Sequence, residues 1–240
     1  MTLLVPFDRP VVTGRLVRRY KRFFVDVVLD NGCAIVAHTA NTGAMTGLVA
    51  AGAPALLTLH DDNPKRAYPY ELEAVHIDGR WVSVNTGAAN AFAASAVAAG
   101  FVAELAGYRQ VRREVSPSKR SKSRFDLCLD DDAGPACYVE VKSVTLKDGA
   151  RALFPDAVTE RGRKHLDALA RLALRGRRAA MLYVNKRPGS STFAPAAAID
   201  PAYARALRRA AKAGVEVYCI SCDVDERGLS YAGRLRVDLA

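Results

Sequence analysis

Over the first third of the chain, apolar and polar residues alternate in short runs at residues 11–20, 23–29, 33–38, 55–59, 70–77 and 81–84. A period of two marks strands with one buried face. Asp30-Asn31-Gly32 is a tight-turn signal between two of these runs. Short strands with glycine and proline punctuation, and no long helical pattern, predict a small all-β barrel over residues 1–84, OB-like in type. The pattern then changes. Residues 85–106 are alanine-rich and favour a linking helix. Beyond it, Phe125, Leu127 and Leu129 alternate with Arg124, Asp126 and Cys128, while Val139 and Val141 alternate with Tyr138, Glu140 and Lys142. The acidic segment at 130–135, ending in Gly134-Pro135, makes the two arms a hairpin with one apolar face. Symmetric pairing about Ala133 sets Asp126 opposite Glu140 and Arg124 opposite Lys142, with Cβ atoms about 5 Å apart. Pro155 and Asp156 then give a helix start signal ahead of Leu166, Leu169, Ala170 and Ala173 at helical spacing. A strand at 179–184, a helix at 200–213 and a strand at 215–220 complete an α/β domain over residues 85–240, with a crossover helix on a mixed sheet.

The hairpin carries the chemistry. Two carboxylates converging on one patch suit Mg²⁺ or Mn²⁺, hard cations that take oxygen ligands and leave positions for water and substrate phosphate. Lys142, two residues after Glu140, projects from the same face, where an ammonium neutralises charge in the transition state of attack on a phosphodiester. Asp126, Glu140 and Lys142 are therefore the candidate catalytic residues, with Asp126 and Glu140 as the metal ligands. The order Asp126, then Glu140-Val141-Lys142, resembles the D…E-x-K signature of the PD-(D/E)xK nuclease superfamily. The competing reading is a solvated sheet face bearing an ordinary Glu140 to Lys142 ion pair. Glu104, near the end of the linking helix, and Glu160, Lys164 and His165, in the first turns of the next helix, are candidate supporting residues.

Charge points to the partner. The chain of 240 residues is 50% hydrophobic and 25% charged, a globular balance, and no apolar run reaches membrane-spanning length. The first residues lack a basic stretch followed by a long apolar one, so a cytoplasmic location without a signal peptide is expected. The net charge is +10, with arginine supplying 26 of the 35 basic residues, which favours DNA over a membrane as partner. Genomic composition is the other source of such a balance, since alanine is also abundant, and the distribution of charge decides between them. Residues 107–124 hold Arg109, Arg112, Arg113, Lys119, Arg120, Lys122 and Arg124 against a single Glu114, and lead straight into the hairpin. On the barrel, Arg15, Arg18, Arg19, Tyr20, Lys21, Arg22, Phe23 and Phe24 interleave basic with aromatic residues, as backbone contacts plus stacking require. Taken singly, Phe23 and Phe24 also read as core residues. Loops at 38–45 and 62–69 add small polar donors together with Lys65, Arg66 and Tyr68. The expected DNA contacts are Arg18, Arg19, Lys21, Arg22, Lys65, Arg66, Arg120 and Arg124, and a homodimer is left open. The five cysteines form no disulfide framework, and Cys219-Ile-Ser-Cys222, without two further ligands for zinc, reads as a pair of half-buried thiols at a strand end.

Several stretches jointly resemble one family, the sugar fermentation stimulation protein A family. They are Arg19-Tyr20-Lys21-Arg22-Phe23, Asn41-Thr42-Gly43-Ala44-Met45, Asn63-Pro64-Lys65-Arg66-Ala67-Tyr68-Pro69, Val84-Asn85-Thr86, Ser123-Arg124-Phe125-Asp126, and residues 139–146 and 154–166. The resemblance implies an N-terminal OB-like domain, a C-terminal PD-(D/E)xK nuclease-like domain, DNA binding, and a role in regulating sugar-utilisation genes such as those for maltose. Three departures stand out: Ala40 where a proline usually precedes the Asn-Thr-Gly, Leu127 where an aromatic usually follows the aspartate, and a longer Ser-Lys-Arg-Ser-Lys run before Ser123. None touches Asp126, Glu140 or Lys142. Two functions follow as alternatives: a Mg²⁺-dependent nuclease, or a regulator that binds DNA through the same surface without cleaving it.

Overall fold

The computed structural model describes residues 1–41, 43–60, 66–117, 124–130 and 137–240. After a short β1 (Leu3–Pro6), the first domain is built from β2 (Val11–Tyr20), β3 (Phe24–Leu29), β4 (Ala34–His38), β5 (Pro54–Leu59), β6 (Tyr70–Ile77) and β7 (Arg80–Ser83). The order β4-β3-β2-β5-β6 is closed by a pairing of β4 with β6, giving a five-stranded barrel with β7 added outside β6. Alternation fills it: Leu16, Val25, Val27, Leu57, Leu72 and Val75 point inward and are fully buried. One correction concerns the boundary. β1 does not join the barrel but pairs antiparallel with a strand near the C-terminus, so residues 3–6 belong to the second domain's sheet.

The second domain continues with α1 (Gly87–Ala98), a 3-10 turn at Ala103–Leu105, β8 (Gln110–Val115), β9 (Phe125–Asp130), β10 (Cys137–Val144), β11 (Leu146–Asp148), β12 (Arg151–Phe154), α2 (Glu160–Ala173), β13 (Arg178–Asn185), β14 (Thr192–Pro195), α3 (Pro201–Lys212), β15 (Glu216–Asp225), β16 (Gly228–Arg234) and β17 (Arg236–Val237). Seven strands form a mixed sheet in the order β1-β16-β15-β13-β10-β9-β8, in which β10, β13 and β15 run parallel. Helices α2 and α3 provide the crossovers, as the alternation of strand and helix predicts. They cover one face together with the small sheet β11-β12-β14-β17, around Leu166, Leu169, Tyr183, Phe193 and Tyr203. α1 covers the other face, and its Phe92 and Ala93 share one buried cluster with Leu127, Val139 and Leu182 of the sheet and Leu56 and Ala74 of the barrel. The two domains thus meet through a common apolar core. Among the described residues no helix is long and apolar enough to cross a membrane.

A polar lock accompanies that core. Lys186, just after β13, is 1% exposed, and its Nζ donates to the Asn85 carbonyl at 2.7 Å, tying the end of β13 to the segment that leaves the barrel. Burial pulls its pKa down to about 8.

Three sequence expectations change here. The basic run at 107–124 contains an edge strand, β8, in which Arg112 is ion-paired with Asp130, and arginines on an edge discourage pairing with another chain. Residues 118–123, with Arg120, lie outside the described residues. The helix expected from Pro155 and Asp156 begins later, at Glu160, because Thr159 accepts from the Gly162 amide at 3.0 Å and so caps it. Residues 155–158 become a loop instead. Cys219 and Cys222, three apart on β15, are both fully buried, and they enter the cores on opposite faces of the sheet, which separates them as ligands or redox partners.

Asp200 fixes α2 relative to α3. It is 1% exposed and accepts from the Tyr203 amide at 2.8 Å, capping α3, and from the Thr159 amide at 2.9 Å, at the start of α2. Asp200→Ala should therefore lower unfolding free energy by about 2–4 kcal/mol, since two inward amides lose their acceptor. Urea denaturation checks this, and a loss no larger than that of an exposed control such as Asp167→Ala would contradict it.

Candidate active site at the domain junction

β9 and β10 pair as Leu129↔Cys137, Cys128↔Tyr138 and Leu127↔Val139, the register set by symmetry about Ala133. The ladder stops there. Asp126 Oδ2 accepts the Val141 amide at 2.7 Å, so a carboxylate takes the place of a strand partner. Three expectations are corrected as a result. Asp126 is not a ladder partner of Glu140. Arg124 does not pair with Lys142 but lies exposed just before β9. Nor do Phe125, Leu127 and Leu129 share one face: Phe125 packs with the helices α2 and α3, while Leu127 and Leu129 pack with α1. The other oxygen of Asp126, Oδ1, accepts from Asn90 Nδ2 on α1 at 2.9 Å.

Glu140 is 1% exposed, and its two oxygens have different fates. Oε1 accepts both the Lys142 ammonium and the His165 ring from α2. Oε2 is buried and, among the described residues, has no hydrogen-bond partner. A buried carboxylate oxygen left without a donor is costly and calls for an explanation. The electrostatics of the two carboxylates diverge. Burial raises the Asp126 carboxyl above the ordinary aspartate range and the charge of Glu140 adds to this, while the Val141 amide offsets only part of it. Burial acts on Glu140 in the same direction, but the His165 hydrogen bond and the Lys142 charge outweigh it and hold the carboxyl below its usual range.

Both residues line a cleft of about 370 Å³ whose walls come from both domains. The barrel supplies Asn41 and Gly43, Thr86 at the start of α1 joins them, and the rest of the second domain adds Lys142, Asp156 and Arg161. Gly43 allows the approach, because a Cβ there would sit 2.5 Å from Asp156 Oδ2. Arg19 holds the barrel loop by donating from Nη2 to the carbonyls of Asn41, at 2.7 Å, and Gly43, at 3.1 Å. Arg161 Nε lies 3.5 Å from His165 Nε2 and brings a second cation toward the cleft.

The structure thus brings together Asp126, Glu140, Lys142 and His165 and leaves other candidates outside. Glu104 is a correction: it forms a two-point ion pair with Arg234 at 2.8 and 2.9 Å, on the 3-10 turn beyond α1. Glu160 and Lys164 are also corrected, since both point to solvent from α2 while His165 turns inward. Among the DNA candidates, Arg19 is corrected from surface contact to loop clamp. Arg66 is held by Glu71 and by the Tyr68 carbonyl at 2.8 Å. Arg18 is 73% exposed and bonded to Asp26 at 2.7 Å, and Lys21 and Arg22 occupy the exposed β2–β3 turn. Lys65, like Arg120, lies outside the described residues. Asn90, Asp156 and Arg161 were missed. For Asn90 a signal existed, a lone amide in the alanine-rich run of α1.

Comparison with known proteins gives a consistent result. Residues 87–228 match the family model of the sugar fermentation stimulation protein RE domain, and residues 17–84 that of the SfsA N-terminal OB domain. A sugar fermentation stimulation protein homolog of Rhodospirillum rubrum is 48% identical over 91% of this chain and 93% of its own. A homolog of Paramagnetospirillum magneticum is 46% identical over 97% and 98%. The solved structure of Pyrococcus furiosus SfsA, in complex with Ca²⁺, superposes with a TM-score of 0.87 at 26% identity, covering 99% of this chain and all of that one. With residues 17–84 and 87–228 matched to the two family models and relatives at 46–48% identity over more than nine tenths of the chain, the chain belongs to the sugar fermentation stimulation protein family.

Proposed function

We propose that this protein is a nuclease that cleaves DNA with the help of a divalent cation, Mg²⁺ or Mn²⁺, held by Asp126 and Glu140. The observation that carries this reading is Glu140 Oε2, a buried carboxylate oxygen without a donor among the described residues, on a side chain that lines a cleft together with Asp126. An acceptor with no protein donor fits a cation, and a hard oxygen pair fits these cations in particular. Among the described residues no group of three or more His, Cys, Asp or Glu side chains is placed to hold a metal ion, so the proposed site has two carboxylates. An open site of two carboxylates leaves room for water and a phosphate. The Ca²⁺ in the Pyrococcus furiosus relative supports a divalent cation in this family. When bound, such a cation polarises a phosphoryl oxygen and offsets its charge.

The chain's own residues do the rest. Lys142 and His165 both hold Oε1, which leaves Oε2 as the oxygen not engaged by either. Asn90 and the Val141 amide fix the Asp126 carboxylate without using all its lone pairs. Lys142, 17% exposed in its side chain, keeps its ammonium at the cleft, where it neutralises charge that grows on the phosphate during attack. Arg161 adds a second positive group on the same wall. The exposed basic residues Arg18, Lys21, Arg22 and Arg124 attract the phosphate backbone.

Two outcomes are expected. Asp126 contributes to the stability of the cation-free protein while protonated, and that contribution is lost as the pH rises through its raised value. A cation restores the balance by holding the charged form. The rise in melting temperature on adding Mn²⁺ should therefore be large near pH 8 and shrink on acidification, beginning above the usual aspartate value of about 3.9. Differential scanning fluorimetry should show that shift in wild type and lose it in Asp126→Ala. An equal shift in both proteins would remove Asp126 from the cation site.

The second outcome concerns turnover. Lys142→Ala should lower cleavage in Mn²⁺ by about 10²- to 10³-fold while DNA affinity measured in Ca²⁺ changes only modestly. Cleavage that survives this substitution would place the activity elsewhere. If neither protein cleaves any DNA form, the protein only binds.

A further inference from the structure

We propose that the barrel binds a single, unpaired DNA strand by stacking its bases on an aromatic platform, and that this platform delivers the strand to the cleft of Asp126 and Glu140. The second half of this statement rests on the nuclease reading; the first does not. Phe23 and Tyr68 are 43% and 38% exposed, although large apolar side chains normally turn inward. They are not scattered. Phe23 lies parallel to His38, with ring centroids 6.4 Å apart and 6° between planes. Tyr68 packs on Phe24 at 4.7 Å, and Tyr20 on Phe24 at 5.8 Å. Arg18 sits over the Tyr20 ring at 5.3 Å. His38, Arg66 and Tyr68 border a shallow recess of about 250 Å³.

The topology says what such a surface is suited to. The platform draws on the β2–β3 turn, on β4 and on the β5–β6 connection, which are the first turn, third strand and last connection of the closed barrel. In OB-type barrels this is the face that takes oligonucleotides. The charge is complementary, with Arg18, Lys21 and Arg22 flanking the rings. Lys21 and Arg22 hold φ of 47° and 66°, values that L residues seldom adopt and that ligand-holding turns often contain. A duplex hides the faces of its bases, whereas an unpaired strand offers them to aromatic rings.

The link to the cleft is Arg19. One Nη2 donates to the Arg22 carbonyl, at 2.8 Å, in the platform turn, and to the carbonyls of Asn41 and Gly43 in the cleft wall. Burial lowers the pKa of this guanidinium, with Arg22 adding to the effect, as befits a buried strut. Through Arg19 the turn that carries Phe23 is tied to Asn41 and Gly43 of the cleft wall, and on this proposal a strand stacked on Phe23 continues toward them. The substrate this assigns is DNA carrying a single-stranded segment, such as an overhang, a flap or a free strand.

The test is fluorescence anisotropy in Ca²⁺ with three labelled probes of about 12 nucleotides, within the range such barrels span: oligothymidine, an abasic strand of equal length, and a duplex. Wild type should bind oligothymidine roughly tenfold or more tightly than the abasic strand, as expected when stacking contributes at several bases. Phe23→Ala with Tyr68→Ala should erase that preference and leave duplex binding within about twofold, because phosphate contacts remain. Phe23→Trp should keep the preference, which separates stacking from a folding defect, and circular dichroism checks the fold of each variant. Equal affinity of wild type for thymidine and abasic strands, or a parallel loss of duplex binding in the double variant, would overturn the proposal. Base-dependent binding without cleavage would overturn the nuclease reading and leave the platform. Cleavage with base-independent binding would do the reverse.

Discussion

A carboxylate buried inside a sheet is the constraint that the rest of the site answers to. An uncompensated charge at Glu140 would cost several kcal/mol, and the chain supplies two compensating groups from different elements, Lys142 on β10 and His165 on α2. Both act on Oε1. The placement of α2 follows from this, since His165 must reach the sheet, and so does the capping of α2 through Thr159 and Asp200. Leaving Oε2 without a donor sacrifices stability, and Asp126, whose pKa burial and Glu140 both raise, is held charged at a further cost. On the proposed reading, a cation shared by these two carboxylates relieves both costs.

The barrel is part of this arrangement rather than a tethered reader. Leu56 and Ala74 share a core with α1 and the large sheet, Lys186 anchors the Asn85 carbonyl, and Gly43 presses on Asp156. A wall contributed by Asn41 and Gly43 means that cleft shape depends on how the domains pack. The same barrel carries the aromatic cluster, whose β2–β3 turn is tied to that wall through Arg19. On the two readings proposed above, recognition and chemistry would share this junction.

Much of this was legible in the sequence because short-range physics sets it. Period-two alternation located the barrel strands within a residue or two, and the expected pairing matches the three β9–β10 partners seen, the turn itself lying outside the described residues. What stayed hidden depended on long-range partners. Nothing local announces that Arg19 is a strut, that Glu104 finds Arg234 130 residues away, or that Asp126 captures the Val141 amide and ends the ladder. The start of α2 was misplaced because Pro155-Asp156 carries a start signal as good as that of Thr159, and only the path of β12 decides between them. His165 and Lys164 adjoin in sequence, yet one reaches Glu140 and the other reaches water. Fewer than two residues of helix rotation separate the two outcomes, which is finer than periodicity resolves.

The central claim is that the free oxygen of Glu140 and the Asp126 carboxylate share a divalent cation. The direct measurement is a crystal structure of the protein soaked in Mn²⁺, with data collected for anomalous scattering. The account predicts a peak in contact with Glu140 Oε2 and an Asp126 oxygen, at about 2.0–2.4 Å from each, the range of hard-cation to carboxylate bonds. An anomalous map with no peak between these carboxylates, or with its strongest peak on other side chains, would contradict it.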